Sequence, residues 1–351
     1  MISFAKKYKA AGVNIAAGDA ASSLAGKHAA STFPAASKRK IGKPVRMPGA
    51  FAGLLDMGSY YLVQCDDGTG TKMVVAEQMK KYDTIGQDLL GTVVDDATCL
   101  GAEVMSVSNT LDVPKVEPKV IDELLKGHAR ACKKERIAIP GGEIAEVGDT
   151  VNGIVWNATG VGLVDKKKLI DGSKIKVGDA VIALQEKGMR SNGFSLARKI
   201  LEKAFGKNWH KKKYGKKTWG ELLLTPSKIY HSGILELVGR FGQQAKVNIH
   251  GIAHITGGGI PGNLPRVWKY HKNKKLGAKL DNLWAAPAWI QEMIRLGKIS
   301  RAEAYEVWSM GNGMLVILPQ KEVVLALRLL KKAGVQAKVA GEITGDGEIT
   351  F

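Results

Sequence analysis

Three short segments of this chain combine glycines with acids in a way that suits phosphate chemistry. In Asp66-Asp67-Gly68-Thr69-Gly70-Thr71-Lys72, backbone N–H groups and a helix N-terminus can hold phosphate oxygens, and adjacent carboxylates can hold the Mg²⁺ that neutralises them. It is not a Walker A loop, which requires Gly-x-x-x-x-Gly-Lys-Ser/Thr. A second segment carries Asp83, Asp88, Asp95 and Asp96, the last two set among Val93, Val94, Ala97 and Cys99. Adjacent acids in an apolar helix are costly to bury unpartnered, and a metal would compensate them. The third, Gly141-Gly142-Glu143, reads as another strand-end turn with carboxylates.

Two further segments are polar and rich in glycine. Gly188-Met189-Arg190-Ser191-Asn192-Gly193 could bind a substrate or cap the helix that follows. His250-Gly251-Ile252-Ala253-His254 leads into Thr256-Gly257-Gly258-Gly259. Two histidines four apart would suit zinc on a helix, but the glycine and the β-branched neighbours argue against one. That leaves His254 as a group beside the glycines.

The elements that must hold these segments follow from periodicity. Tyr60–Cys65 reads as a strand, Asp66–Lys72 as its loop, and Met73–Lys81 as a helix. Thr84–Leu100 reads as a helix with embedded acids, Val120–Glu135 as an amphipathic helix, and Ile154–Val164 as a strand. Asp171-Gly172-Ser173-Lys174 then punctuates the chain, and Ala180–Leu184 opens a second sheet. The strand Met314–Leu318 and the helices Phe194–Phe205, Ala285–Leu296 and Lys321–Ala333 complete it. The expected organisation is an arm over residues 1–50, partly helical near Ala16–Ala25, one domain over 51–170 and another over 171–351. The fold class is α+β, built from two α/β domains.

Composition narrows the function classes. At 351 residues the chain is long for one core, and 45% hydrophobic with 24% charged residues is globular usage. No apolar run approaches the roughly 18 residues of a membrane span and no signal segment opens the chain, so a cytoplasmic protein with no membrane partner is expected. Cys65, Cys99 and Cys132 are odd in number and lack metal-type spacing, and read as reduced core thiols. The net charge of +19 attracts polyanions. Lys207, Lys211, Lys212, Lys213, Lys216 and Lys217 crowd one insertion and His271-Lys272-Asn273-Lys274-Lys275 forms a second basic cluster. Neither is interleaved with a stacking platform, so no specific nucleic-acid site is expected.

Taken in order, the motifs resemble those of the phosphoribosylformylglycinamidine cyclo-ligase (aminoimidazole ribonucleotide synthetase) family. They are Tyr8–Ile15, Asp67–Lys72, Tyr82–Gly86, Asp96 with Gly101-Ala102-Glu103, Gly141–Glu143, Ser191–Leu201, Thr225–Tyr230, Ala253–Gly259 and Met310–Met314, collinear over nearly the whole chain. The resemblance implies an ATP-dependent ring closure in purine biosynthesis, converting formylglycinamidine ribonucleotide to aminoimidazole ribonucleotide. It also implies a homodimer whose N-terminal domains share a β-barrel, with ATP and Mg²⁺ bound in a cleft between domains. Carried over residue by residue, Asp67, Asp96 and Glu143 would hold the metal, and Gly68, Gly70, Thr71, Lys72 and Glu143 the nucleotide. Arg190, Ser191, Asn192, Gly257, Gly258 and Gly259 would face the substrate, with Asp67, Asp96 and His254 in the catalytic set. The chain departs from the family pattern at Ala10, Asn14, Asp66, Asp95, Ile144 and Arg190. Where the pattern has Asn-Asp the chain has Asp95-Asp96, and where it has His before Ser-Asn-Gly the chain has Arg190. Arginine cannot exchange protons near neutral pH, so Arg190 is expected to hold a phosphate or carboxylate by charge, and Arg190→His to keep or raise activity. A kinase-like or hydrogenase-maturation-like relative of the same ATP-binding superfamily is the alternative enzyme, and a basic nucleic-acid-binding protein the alternative class.

Overall fold

The computed structural model describes residues 15–47, 49–268 and 275–351. The Tyr8–Asn14 part of the first motif, with the departures Ala10 and Asn14, and His271–Lys274 of the second basic cluster lie outside the described residues. The chain builds two six-stranded sheets, each with its own helices.

The first sheet contains β1 (Lys43–Val45), β2 (Gly53–Asp56), β3 (Tyr60–Gly68), β4 (Glu103–Val113), β5 (Gly142–Glu146) and β6 (Val155–Asp165), ordered β1-β2-β3-β6-β4-β5. Pairing is antiparallel except between β4 and β5. Val63 and Cys65 on β3, Val107 and Leu111 on β4, and Trp156 and Ala158 on β6 are buried, while alternate residues are exposed or half-buried. That period of two marks a sheet covered on one face. The cover is α3 (Ile85–Thr98), backed by α4 (Pro118–Glu135).

The second sheet contains β7 (Ala180–Gln185), β10 (Gly251–His254), β11 (Gly277–Lys279), β12 (Asn312–Leu318), β13 (Ala337–Thr344) and β14 (Ile349–Thr350), ordered β10-β12-β7-β13-β11-β14. Here β12 is buried along its whole length. Met314, Val316 and Leu318 pack into one core with α6 (His231–Val238) and α8 (Val323–Lys332), while Leu315 and Ile317 join the other core, with α5 (Phe194–Phe205) and α7 (Ala288–Gly297). A strand covered on both faces reads as a continuous apolar run, which is the character of Met314-Leu315-Val316-Ile317-Leu318.

Two departures from the sequence reading bear on the site. The strand read as ending at Cys65 continues to Gly68, because β6 pairs with it throughout: Asp66 faces Thr159, Asp67 faces Ala158 and Gly68 faces Asn157. The acids therefore sit on a strand, not in a loop, and point to opposite faces of the sheet. Likewise Gly142–Glu146 is an edge strand, not a turn, pairing with Asn109–Val113. The arm holds α1 (Ile15–Ser31), and the lysine insertion folds into the hairpin β8 (Lys213–Tyr214) and β9 (Lys217–Thr218). The glycine loop leads into α2 (Lys72–Met79), which ends on left-handed Lys80.

Candidate active site at the interdomain seam

Helix α3 supplies the acids and lies between the two sheets. Asp88 and Asp95 are seven residues apart, two helical turns, and so share a face. The segment Thr225–Tyr230 of the second domain reads that face. Ser227 donates its N–H (2.8 Å) and hydroxyl (2.5 Å) to Asp88 Oδ1, and the Tyr230 N–H donates to Asp95 Oδ1 at 3.0 Å.

Two cations complete these contacts. Lys72 Nζ lies 2.7 Å from Asp88 Oδ1, 2.8 Å from the Thr225 carbonyl and 3.3 Å from that of Arg190, with its side chain 0% exposed. Three acceptors take its three protons. The expected phosphate contact is therefore corrected: Lys72 is an interior counter-ion whose protons are committed. Arg190, 2% exposed, donates to Asp95 Oδ2 (2.7 Å), Glu186 Oε2 (3.1 Å), the Lys228 carbonyl (2.9 Å) and the Gly91 carbonyl (3.3 Å). Both terminal nitrogens of its guanidinium are spent on the protein, and Nε is buried without a hydrogen-bond partner among the described residues, so its expected place against substrate is also corrected. Burial alone would lower the Arg190 guanidinium, and Asp95 and Glu186 outweigh that to raise it. Asp95 and Arg190, two of the departures from the family pattern, are thus partners in one ion pair.

The neighbouring acids are arranged otherwise. Asp67, at the end of β3, accepts the Thr92 hydroxyl at 2.6 Å and the Gly68 N–H at 2.7 Å. Asp96 Oδ1 lies 2.8 Å from His254 Nδ1, across the seam from the end of β10. Burial raises Asp67, with a further push from Asp96, and burial lifts Asp96 to about 7 against the pull of Arg266 and Arg190. Burial, followed by Arg190, lowers His254 to about 3. At pH above 7 the imidazole is therefore neutral, and facing an ionised Asp96 its proton belongs on Nδ1. His254 Nε2 is then an acceptor, buried and without a protein partner. Arg266 closes this end, stacked 3.9 Å over Phe51 and donating to the Gly49 and Ala50 carbonyls.

The glycine loops of both domains meet here. A Cβ on Gly70 would stand 3.4 Å from the Ser191 carbonyl, and one on Gly257 would stand 3.3 Å from Asn192 Nδ2. The Thr71 and Ser195 hydroxyls are 3.1 Å apart. Gly68 and Gly259 admit no side chain: a Cβ would lie 2.0 Å from Asn157 Oδ1 and 1.6 Å from the Tyr305 carbonyl, respectively. Gly258, at φ 90°, caps the turn before Gly259–Asn263. Asp67, Asp96, His254, Gly68–Thr71, Ser191–Asn192 and Gly257–Gly259 therefore line one seam.

Glu143 is elsewhere. Cross-strand register places it in a row with Thr110, Asn157 and Gly68, whereas Asp67 belongs to the row of Ala158 and Asn109 on the opposite face. Glu143 shares a cavity of about 520 Å³ with Asp66, Thr110, Asn157 and Thr159 on the open face, where the Thr159 hydroxyl donates to Asp66. Among the described residues no three His, Cys, Asp or Glu side chains converge as metal ligands. The expected trio of Asp67, Asp96 and Glu143 thus reduces within one chain to the two aspartates. Two carboxylates still fit Mg²⁺, which keeps several waters and takes one or two protein carboxylates beside substrate phosphates. Thr92, Glu186 and Arg266 went unread in the sequence. The spacing of Thr92 from Asp96, four residues on, is the signal that places Thr92 on the acids' helix; no local pattern marks Glu186 or Arg266.

Comparison with known proteins identifies the two domains. Residues 49–164 match the model of the AIR synthase related protein N-terminal domain and residues 176–351 that of its C-terminal domain, so the molecule is a two-domain member of the AIR synthase-related class. The phosphoribosylformylglycinamidine cyclo-ligase of Pyrococcus horikoshii is 39% identical over 293 residues, covering 84% of this chain and 82% of that protein. The cyclo-ligase of Carboxydothermus hydrogenoformans is 38% identical over 306 residues, covering 84% and 86%. The chain belongs to the phosphoribosylformylglycinamidine cyclo-ligase family. Among solved structures, hydrogenase maturation protein HypE in its complex with HypF shares the fold at a TM-score of 0.61 and 17% identity, covering 86% of this chain and 88% of that one. Among the described residues no helix is long and apolar enough to cross a membrane.

Proposed function

We propose that the seam carries out the cyclo-ligase reaction: ATP-dependent closure of formylglycinamidine ribonucleotide to aminoimidazole ribonucleotide, with release of ADP and phosphate. The observation that carries this is the convergence, in a member of this family, of Asp67, Asp96 and His254 with glycine loops from both domains. An amide oxygen is a poor leaving group. Transfer of the ATP γ-phosphoryl group to the formyl oxygen turns it into a good one, the amidine nitrogen attacks the same carbon, and phosphate departs as the ring closes. Phosphoryl transfer is catalysed mainly by positioning and charge neutralisation.

Each residue has a part in that scheme. Backbone N–H groups of Gly70 and Thr71 hold phosphate oxygens, those of Gly68 and Thr69 being taken by Asp67 and the Trp156 carbonyl. Asp67 and Asp96 would hold Mg²⁺, which when bound neutralises charge developing on the phosphoryl oxygens. Thr92 fixes the rotamer of Asp67, and His254 fixes Asp96 through Nδ1 while its Nε2 accepts a hydrogen bond from substrate. Ser191, Asn192 and Gly257–Gly259 contact the ribonucleotide. A homodimer joined through the open face of the first sheet accounts for the exposed Met105 and Val155 there, and it gives Glu143 and Asp66 a place at the partner's edge of the nucleotide site. The barrel shared between subunits and the cytoplasmic location belong to the same reading. Incubation with ATP, Mg²⁺ and formylglycinamidine ribonucleotide tests it: aminoimidazole ribonucleotide should form with one phosphate per ring, and tight ATP binding with no ring product would favour the kinase-like alternative.

A further inference from the structure

Arg190 occupies a left-handed backbone state, with φ at +57°, that L-residues adopt uncommonly and that surrounding contacts can hold in place. Those contacts come from both domains. Asp95 and the Gly91 carbonyl belong to α3, and Glu186 and the Lys228 carbonyl to the second domain. Glu186 is itself fully engaged, accepting the N–H groups of Lys187, Gly188 and Lys228. The Arg190 carbonyl is held in turn by Lys72, at the foot of the glycine loop.

The residues immediately after Arg190 are the ones that face the seam. The Ser191 carbonyl lies against Gly70 and Asn192 against Gly257, and Ser191 Oγ is buried with no protein partner. The side chain anchored on Asp95, one residue before Asp96, therefore sets the direction in which the chain enters this turn. We infer that Arg190 is a positioning residue: paired with Asp95, it locks the Ser191–Asn192–Gly193 turn to α3 and so shapes the surface that receives the ribonucleotide. The inference rests on the function proposed above. Lysine would keep the charge but lose the planar fork that reaches two carboxylates and two carbonyls together. A histidine opposite Asp95 would leave that acid and Glu186 without their cation, so Arg190→His alone should impair the enzyme, the reverse of what the sequence suggested.

The test compares the full-length wild type with Arg190→Lys, Asp95→Asn, Arg190→His and the double variant Asp95→Asn/Arg190→His. Readouts are steady-state kinetics, melting temperature and backbone hydrogen exchange at residues 191–193. Arg190→Lys and Asp95→Asn should raise KM for formylglycinamidine ribonucleotide about tenfold or more, because small misplacements are costly in pre-organised sites. KM for ATP and kcat should stay within about threefold, the turn amides should exchange faster, and the double variant should recover KM relative to Arg190→His. Should Arg190→Lys fail to fold, the nearly isosteric Asp95→Asn carries the same prediction. Lower melting temperatures with unchanged KM and unchanged turn exchange would overturn the inference, leaving a merely structural bridge. A wild type that closes no ring would instead refute the proposed function, and exchange at 191–193 would then decide the positioning role alone.

Discussion

Asp95 and Asp96 are neighbours on one helix and live in opposite chemical states. Asp95 is 0% exposed and has a guanidinium on one oxygen and a backbone N–H on the other. Asp96 is 16% exposed and touches only a neutral imidazole through Oδ1, so that burial leaves it titrating at about 7. The same division runs along the seam: Lys72–Asp88 and Arg190–Asp95–Glu186 are ion-paired within the protein, with Asp88 Oδ2 and Arg190 Nε left without hydrogen-bond partners among the described residues, while Asp67, Asp96 and His254 have no ion-paired cation. Buried charges with matched partners hold two domains in register. Buried charges held short of partners are where a metal and an anionic substrate would gain most.

The largest difference between the two groups should appear in catalysis. Asp67→Asn and Asp96→Asn should each lower ring formation by about 10²–10³-fold, the scale seen when a transition-state charge contact is removed, with melting temperature not lowered. Asp171→Asn should leave the rate within about twofold, because Asp171 only accepts the Ser173 N–H in an exposed turn. Comparable losses in all three, measured by aminoimidazole ribonucleotide formation, would erase the distinction.

Stability should show the converse. Lys72→Met leaves Asp88 buried without its cation, and breaking such a pair on one side costs about 3–5 kcal/mol. Chemical denaturation should register that loss, and a change under 1 kcal/mol would mean that the ion-paired group is not structural.

A smaller effect separates the groups by pH. Asp96 has a folded pKa of about 7 against an ordinary 3.8, so the folded protein binds the extra proton between those values. The stability it contributes is full below pH 3.8, declines as pH rises through 7 and is flat above. His254, lowered to about 3 from 6.5, acts in the opposite sense, losing stability as pH falls below 6.5. Asp96→Asn removes only the first contribution. Without ligands, its stability relative to wild type should improve by about 2–3 kcal/mol from pH 5 to pH 7.5 and then level off. A constant difference across that range would show that Asp96 ionises normally.

Much of this was legible in the sequence, for identifiable reasons. Helix Phe194–Phe205 and strand Ala180–Gln185 declare themselves through a 3.6-residue stripe and an apolar run. The segments Asp67–Thr71, Ser191–Asn192 and Gly257–Gly259 stand out because glycine beside acids and amides has few other uses. Partnership could not be read. Nothing local tells that Lys72 turns inward to Asp88, or that Arg190 meets Asp95 from 95 residues away, since both follow from how the second domain docks on α3. The strand extension through Asp66 and Asp67 was hidden too, because β6 and not local propensity enforces it.

The smallest expected effect lies outside the seam. RNA should bind weakly through the lysine hairpin and lose affinity steeply with salt, without sequence preference, as when only phosphates are contacted. A sequence-selective complex in physiological salt would point to a built nucleic-acid site.

The division of labour between the adjacent acids is tested most directly by titrating Mg²⁺-ATP calorimetrically into wild type, Asp95→Asn and Asp96→Asn at pH 8. Asp96→Asn should lose about thirtyfold or more in affinity, roughly 2 kcal/mol, without melting earlier than wild type. Asp95→Asn should melt earlier yet bind within about threefold of wild type, since its carboxylate is spent on Arg190. Equal losses in both variants, or a loss confined to Asp95→Asn, would contradict that division of labour.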